Sequence, residues 1–337
     1  MGAVESAGNN AALLEAQNLT KHFLVRQSWT RRVVVTAVDG LTFRVEPGRT
    51  IALVGESGCG KTTVGKLLLG LMKQDGGVIS FRGRPLAHWT SQAPAEYRRA
   101  VQMVFQNPLA SFDPMLSINA SLLDSMRLRG DLDRDARRRE AIRLLERVGL
   151  EKDFAKRYPS EMSGGQLQRV GVARALAPDP RVVFLDEPTS ALDMSIQGQI
   201  INLLLDLQVE YGLAYILVSH DLRVIRAMAH YVLVMYLGQV VEEGSVADVL
   251  MHPLHPYTRG LLAATLVGRL NLEQRRKVRV RGEVLQLPAD YKGCKLTRRC
   301  PFELDRCRRD PQELEMVLPS HQVRCWRAMH IRDQTQD

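Results

Sequence analysis

The stretch that most constrains this chain is "IALVGESGCGKTTVGKLLLGL", Ile51 to Leu71. Ile51 to Val54 is an unbroken apolar run, the pattern of a parallel strand buried on both faces. Gly55-Glu56-Ser57-Gly58-Cys59-Gly60-Lys61-Thr62 then fits G-x-x-x-x-G-K-[ST], and Val64, Leu67, Leu68 and Leu71 recur behind it at helical spacing. Strand, glycine loop and helix is the context that gives this pattern meaning. Glycines let the backbone curl until several N–H groups point at one anion, and the helix N-terminus adds a favourable partial charge. Lys61 can then reach the β- and γ-phosphates of a nucleotide, and the Thr62 hydroxyl can ligate Mg²⁺. Cys59, inside the loop, reads as a small residue and not as a nucleophile.

Two more apolar runs end in polar chemistry. "RVVFLDEPTSALD" carries Val182 to Leu185 as a strand and presents Asp186 and Glu187 at its carboxyl end. Asp186 is placed to hold the Mg²⁺, and Glu187 to orient and deprotonate a water attacking the γ-phosphate. "YILVSHDLRVI" carries Tyr215 to Val218 and delivers His220 to the same edge, in reach of the γ-phosphate or that water. Ligands of open α/β sheets bind at strand carboxyl ends, so the three runs predict one site.

In "YPSEMSGGQLQRVGVARAL" the run Ser163-Gly164-Gly165-Gln166 opens a helix through Val170 and Ala173, a second set of exposed helix-terminal amides. One nucleotide needs one cradle, so two cradles hint at a nucleotide shared between two chains. At this point the chain resembles an ATP-binding-cassette ATPase, from about Leu14 to Leu250. The resemblance implies an α/β fold: a P-loop (RecA-like) core, an antiparallel β-subdomain, a helical subdomain inserted near 107–175 and a small C-terminal extension. It implies that Phe23 stacks on adenine and that Gly55 to Thr63, with Ser57, Gly58 and Gly60, forms the phosphate loop. Gln106 in "MVFQNP" joins Thr62 and Asp186 at the metal, Asp193 of "SALD" follows the Asp-Glu pair, and His220 is the switch histidine. It further implies a head-to-tail pair of cassettes, in which Ser163 and Gly164 of one close on the γ-phosphate held by the other. Met162 and Thr63 depart from the leucine and serine usual at those places, and leucine to methionine roughly conserves volume.

Composition narrows what such an ATPase serves. With 337 residues, 45% hydrophobic and 25% charged, the chain reads as a soluble protein with one large domain and an appendage. No run approaches the roughly 18 apolar residues of a membrane span, and the longest, "YVLVMYLGQVV", reads as a strand. Residues 1–12 read as a disordered leader: there is no secretory pattern, and "MGAVES" fits only the loose Met-Gly-x-x-x-Ser lipidation signal. A net charge of +9 and a pI near 9.5 point to an anionic partner, be it nucleic acid, lipid headgroups or a phosphorylated substrate. Much of the excess sits in "NLEQRRKVRVRG" and in "DRDARRREAIRLLERVG", whose Ile142, Leu145 and Val148 face inward and leave the arginines as a solvated face. Between Gln106 and Ser163 there is room only for a small helical insertion. No heptad array, second phosphate loop or base-stacking surface is present, so a cassette acting on nucleic acid is the alternative reading. The leading one is the engine of a membrane transporter, with Phe112, Met115 and Leu116 of "QNPLASFDPMLSIN" exposed to grip a membrane subunit.

The tail refines this. "HPLHPYTRGLLAATL" holds two His-Pro pairs and then a short amphipathic helix, and His255-Pro256-Tyr257-Thr258 resembles the marker that opens the C-terminal extension of oligopeptide and dipeptide importer ATPases. The extension is taken as 251–337, with "VRVRGEVLQLP" as its short β-segment. "GESGCGKTT" and "RRAVQMVFQNPLASFDP" look more like the F-type than the D-type partner. Importers of this kind imply a second, different ATPase subunit, two membrane permease subunits and an external solute-binding protein. They also imply a seat at the cytoplasmic face of the plasma (inner) membrane and no nucleic acid. Dipeptides, longer peptides, nickel chelates and opines all use relatives of this chain. Finally, Cys294, Cys300, Cys307 and Cys325 crowd into the last 44 residues of the sequence. Disulfides are out of place in a reducing cytosol, and no C-x₂₋₄-C pair suits zinc. Loosely spaced thiolates suit a [4Fe–4S] cluster, which some ATPases of this subfamily resemble in carrying. Arg298, Arg299, Arg306, Arg308 and Arg309 would offset its charge, and His321 could replace one thiolate. Zinc and unliganded packing stay open.

Overall fold

The computed structural model describes residues 12–26, 32–86, 94–265, 280–283, 287–288 and 291–333. The leader, up to residue 11, lies outside them. Strands β1 (Leu14–Arg26) and β2 (Arg32–Val45) pair antiparallel, and the strand β3 (Thr50–Val54) that feeds the glycine loop is buried throughout. β4 (Gly76–Phe81) and β5 (Arg84–Pro85) complete a four-stranded sheet in the order β2-β1-β4-β5, the expected antiparallel subdomain.

β3 belongs to a second sheet with β6 (Val101–Val104), β7 (Val182–Asp186), β8 (Ala214–Val218), β9 (Tyr231–Tyr236), β10 (Gln239–Ser245), β11 (Glu315–Leu318) and β12 (His321–Val323). The order is β11-β12-β10-β9-β3-β8-β7-β6, parallel from β9 to β6. Unbroken Val/Ile/Leu runs suit strands covered on both faces, as these are. Leu53 and Asp186 both lie opposite Val218, and Val104 lies opposite Leu185. Four carboxyl ends therefore share one edge. The stretch "YVLVMYLGQVV" is two strands and not one. Leu237 (φ 45°) and Gly238 (φ 82°) reverse the chain between β9 and β10, and consecutive positive φ values make the tight hairpin turn whose twist matches its strands.

Helix α1 (Lys61–Leu68) follows the loop. Leu71 is not on it and is 67% exposed, because Gly70 at φ 66° ends the helix first. After α2 (Ala95–Ala100), the inserted subdomain holds α3 (Ile118–Ser125) and α4 (Arg134–Arg147), N-capped by Ser117 and Asp133. Leu145 and Val148 are buried and Ile142 half-buried, as the helical spacing requires. α5 (Gly164–Leu176) runs from this subdomain into the sheet: Leu167, Val170 and Ala173 share one core with Val183, Leu185, Tyr215 and Leu217. α6 (Met194–Tyr211), α7 (Leu222–Met228) and α8 (Val246–Met251) follow the strands, then α9 (Pro256–Thr265), which opens on the proline of the second His-Pro pair.

The described residues beyond α9 rejoin the main sheet. β12 pairs with β10 and so extends the same sheet. The clasp is Glu242, which is fully buried; its carboxylate accepts from the N–H groups of Leu254 (2.7 Å) and His255 (3.0 Å) and meets His321 Nε2 at 2.7 Å. The expected β-segment "VRVRGEVLQLP" is not a strand at its described residues 280–283 and 287–288; the rest lies outside them. Among the described residues, no helix is long and apolar enough to cross a membrane.

Candidate functional site

The phosphate loop threads between β2 and the β9–β10 turn, and only glycine fits its tightest points. A Cβ at Gly60, whose φ is 113°, would lie 2.1 Å from the Ala37 carbonyl oxygen; one at Gly55 would lie 2.3 Å from that of Met235. Lys61 folds back inside the loop, its Nζ donating to the carbonyls of Gly55 (2.8 Å) and Glu56 (2.9 Å). Cys59 is buried with its Sγ 3.5 Å from that ammonium, and burial pushes its thiol pKa up. Such a thiol is a packing group, as expected, since the nucleophile would be the thiolate. Ser57, Gly58 and Thr62 lie exposed along the loop, with Gly60 and Thr63 half-buried.

The Thr62 hydroxyl lies beside the carboxylate of Asp186, at the end of β7, close enough to favour its charged form. Burial, and then the charge of Glu187 beside it, push the Asp186 carboxyl above its usual range, against Thr62 and Lys61. A buried carboxylate in need of positive charge, next to a hydroxyl, is an oxygen-only donor set that suits Mg²⁺, which keeps most of its waters. Glu187 follows in the left-handed conformation at φ 45°, held by its N–H to the Val218 carbonyl at 3.0 Å. Strained backbone of this kind persists only where its surroundings over-determine it. Here it aims the carboxylate between two partners: Gln106 Nε2 donates to Oε2 at 2.7 Å, and His220 Nδ1 lies 3.3 Å from Oε1. The ends of β6, β7 and β8 thus bring Gln106, Glu187 and His220 together. Gln106 here faces Glu187 and not Asp186 or Thr62.

At the start of α5, Ser163 Oγ accepts from the Gln166 N–H (3.3 Å) while Gln166 Oε1 accepts from the Ser163 N–H (3.0 Å), a reciprocal cap. A Cβ at Gly165 would press on Ile196 at 2.8 Å, so glycine lets α5 and α6 approach. Ser163 and Gly164 stay exposed, and among the described residues no hydrogen bond joins either to the phosphate loop of their own chain. Asp193 precedes α6 on the surface. Phe23 is half-buried on β1 opposite Val35, with Lys21 Nζ 5.9 Å from its ring centroid.

Phe112 is not exposed: it is 6% accessible, and the Arg174 guanidinium stacks on its ring at 4.1 Å. Proline and aspartate around it made the loop read as open, but the aromatic ring closes the core of the helical subdomain. The apolar side chains left at the surface there are Met115 and Leu116, as expected, with Phe105 and Leu109.

Cys294, Cys300, Cys307 and Cys325 line one cavity of ≈ 20 Å³ together with Leu296, Phe302 and Trp326. Burial pushes the thiols up, Cys294 to about 11 and Cys300 and Cys325 to about 12. Among the described residues, no three His, Cys, Asp or Glu side chains converge on a metal ion. His321 is bound to Glu242 and does not line the cavity. Three of the five arginines have partners of their own: Arg308 bonds to Glu303, Arg306 stacks over the Trp326 ring at 3.6 Å, and Arg299 meets Tyr236 and Glu56. That last contact, with a Tyr257 hydroxyl on the Glu56 N–H at 2.8 Å, braces the loop from the extension. The sequence held one signal for it, the His255–Thr258 marker, without showing where Tyr257 points.

Residues 38–190 match the family model described as "ABC transporter", and residues 241–307 match "Oligopeptide/dipeptide transporter, C-terminal region". The chain is 39% identical to "Dipeptide transport ATP-binding protein DppF" of Haemophilus influenzae over 318 residues, 94% of this chain and 97% of that one. It is also 39% identical to "Oligopeptide transport ATP-binding protein AppF" of Bacillus subtilis, over 95% of this chain and 98% of that one. Among solved structures it is similar to "Dimeric Structure of MJ0796, a Bacterial ABC Transporter Cassette" at 28% identity and a TM-score of 0.60, over 69% of this chain and 98% of that one.

Proposed function

We propose, for a chain that belongs to the ATP-binding-cassette ATPases of oligopeptide and dipeptide transporters, that it hydrolyses ATP to drive peptide import through membrane permease subunits. One observation carries this: Gln106, Glu187 and His220 meet at the strand edge where Lys61, Thr62 and Asp186 form a phosphate and metal cradle. Lys61 and the loop amides hold the phosphates, while Thr62 and Asp186 would hold a Mg²⁺, which would supply charge stabilisation to the phosphate oxygens. Glu187 takes a proton from a water as its oxygen attacks the γ-phosphorus in line; the bond to the bridging oxygen breaks and ADP leaves. His220 steadies the carboxylate or the γ-phosphate, and Gln106 ties the loop after β6 to the same group. Phe23 and Asp193 complete the nucleotide pocket.

The exposed cap of α5, free of its own phosphate loop, supports a composite site closed by Ser163 and Gly164 of a second cassette. We take that partner as a different, D-type subunit, with this chain as the F-type one. An external solute-binding protein and a seat at the cytoplasmic face of the inner membrane complete the assembly. The cassette is read as 13–250, its helical subdomain as about 107–175, and the extension as 251–337. The relatives are named for peptide transport, so the nucleic-acid reading drops out. Copurification of the chain with permeases and a solute-binding protein is the expected result. ATP turnover in that complex should collapse when Ser163 and Gly164 are disabled in every subunit, and unchanged turnover would overturn the composite site.

The cysteines support one further reading, an iron–sulfur cluster held by Cys294, Cys300, Cys307 and Cys325. What supports it is that all four thiols line one cavity, although among the described residues no three His, Cys, Asp or Glu side chains converge on a metal ion. Such a cluster would cross-link the turns at 294–307 to Cys325. Anaerobically prepared protein free of iron and sulfide would reject it.

A further inference from the structure

The C-terminal extension reaches into the phosphate loop at Glu56. The Glu56 N–H donates to the Tyr257 hydroxyl at 2.8 Å, and the Gly55 carbonyl accepts from Lys61 Nζ at 2.8 Å. These two groups belong to one peptide unit, so Tyr257 and Lys61 pin the same plane at opposite ends. Tyr257 is itself packed in: it is 1% exposed and its ring lies 4.6 Å from that of Tyr236, tilted by 48°. A second brace comes from Arg299, whose Nη1 donates to the Tyr236 hydroxyl at 2.9 Å and lies 3.6 Å from Glu56 Oε2. Arg299 is held in turn by its Nε on the Arg281 carbonyl at 3.1 Å, and it leaves the turn that also carries Cys294 and Cys300.

We infer that Tyr257 is a positioning residue of the nucleotide site, its hydroxyl fixing the Gly55–Glu56 peptide plane that orients Lys61, with Arg299 as an auxiliary brace. The inference rests on the reading of this loop as an ATP cradle. A partly buried amide such as that of Glu56 needs an acceptor. It uses a side chain from the extension, so the extension is part of the cradle. The ring of Tyr257 serves packing, and its hydroxyl serves the loop. That division makes the two roles separable, because phenylalanine keeps the ring and deletes only the acceptor.

Full-length chain is titrated with fluorescent ADP and ATP, and KM and kcat are measured in the permease complex. Tyr257→Phe should weaken nucleotide binding about three- to tenfold, the effect of one net hydrogen bond. KM for ATP should rise by the same factor with kcat within about twofold, since no group touching the reacting atoms is lost. Arg299→Gln should shift KM in the same direction, and the double variant should fall short of the product of the two, because both load Glu56. A Tyr257→Phe chain with lowered thermal stability but wild-type affinity and KM would make the hydroxyl merely structural and overturn the inference. If that variant fails to fold, Arg299→Gln decides, and an unchanged KM overturns it. A wild-type chain that binds no nucleotide would instead sink the reading of the loop itself.

Discussion

Replacing Glu187 by glutamine separates geometry from proton transfer more cleanly than any other change in this site. The carboxylate sits between Gln106 Nε2 at 2.7 Å and His220 Nδ1 at 3.3 Å, with 19% of its side chain exposed. Glutamine has the same shape. Its amide oxygen can accept from Gln106, and its NH₂ can donate to a neutral His220, so both contacts survive in the variant. The backbone strain at φ 45° is likewise unchanged. What disappears is the ability to take a proton from water. General-base loss costs about 10²–10⁴ in rate, equivalent to about 2.7–5.4 kcal/mol of barrier. Neither Lys61 nor Thr62 is touched, so nucleotide affinity should hold. Phosphate release from the permease complex and equilibrium binding of labelled ATP measure the two quantities separately. A Glu187→Gln complex within tenfold of wild-type turnover, with normal affinity, would refute the general-base role. A matching loss of affinity would refute the claim that the change is isosteric.

Gly60→Ala should abolish nucleotide binding with the sheet intact, because the new Cβ would lie 2.1 Å from the Ala37 carbonyl at φ 113°; retained binding by calorimetry would contradict this. Asp186→Asn should stabilise the nucleotide-free chain near neutral pH while ending Mg²⁺-dependent hydrolysis. The Asp186 carboxyl is raised by burial, so its stabilising contribution belongs to the protonated form and is lost as pH rises through the folded pKa. Thermal midpoints of both chains across pH test it, and the gap should close in acid. Glu303 has the opposite sign: its bond from Arg308, joined by Thr297, holds its carboxyl at about 2, below the ordinary 4.5. The stability it contributes is present above 4.5 and is lost as pH falls toward about 2. Glu303→Gln should therefore flatten that acid limb, and an unchanged limb in pH-dependent melts would count against the contact.

The gathering of reactive side chains at one strand edge was legible because their placement is local. Five parallel strands need unbroken apolar runs, and the residues just past each run fall at one edge; hence Lys61, Asp186, Glu187 and His220 could be assembled from their places after β3, β7 and β8. The cap at Ser163 was legible for the same reason, since a serine and a glutamine three residues apart close on each other. Burial in irregular segments was not legible. Phe112 read as exposed and is core, the Leu237–Gly238 turn was hidden inside an apolar run, and Gly70 cut α1 short of Leu71. Contacts distant in sequence were beyond periodicity altogether. Nothing in the spacing says that Arg299 turns away from the cysteines toward Glu56, or that Tyr257 and Lys61 grip one peptide plane. By itself the amino-acid order determined the strands, the loop and the order of reactive groups along the edge, because each depends on residues within one or two turns. Only the folded chain decided how the extension meets the loop, because β12 pairs with β10 and Glu242 closes on His255 and His321, contacts far apart in sequence that set Tyr257 against the Glu56 N–H.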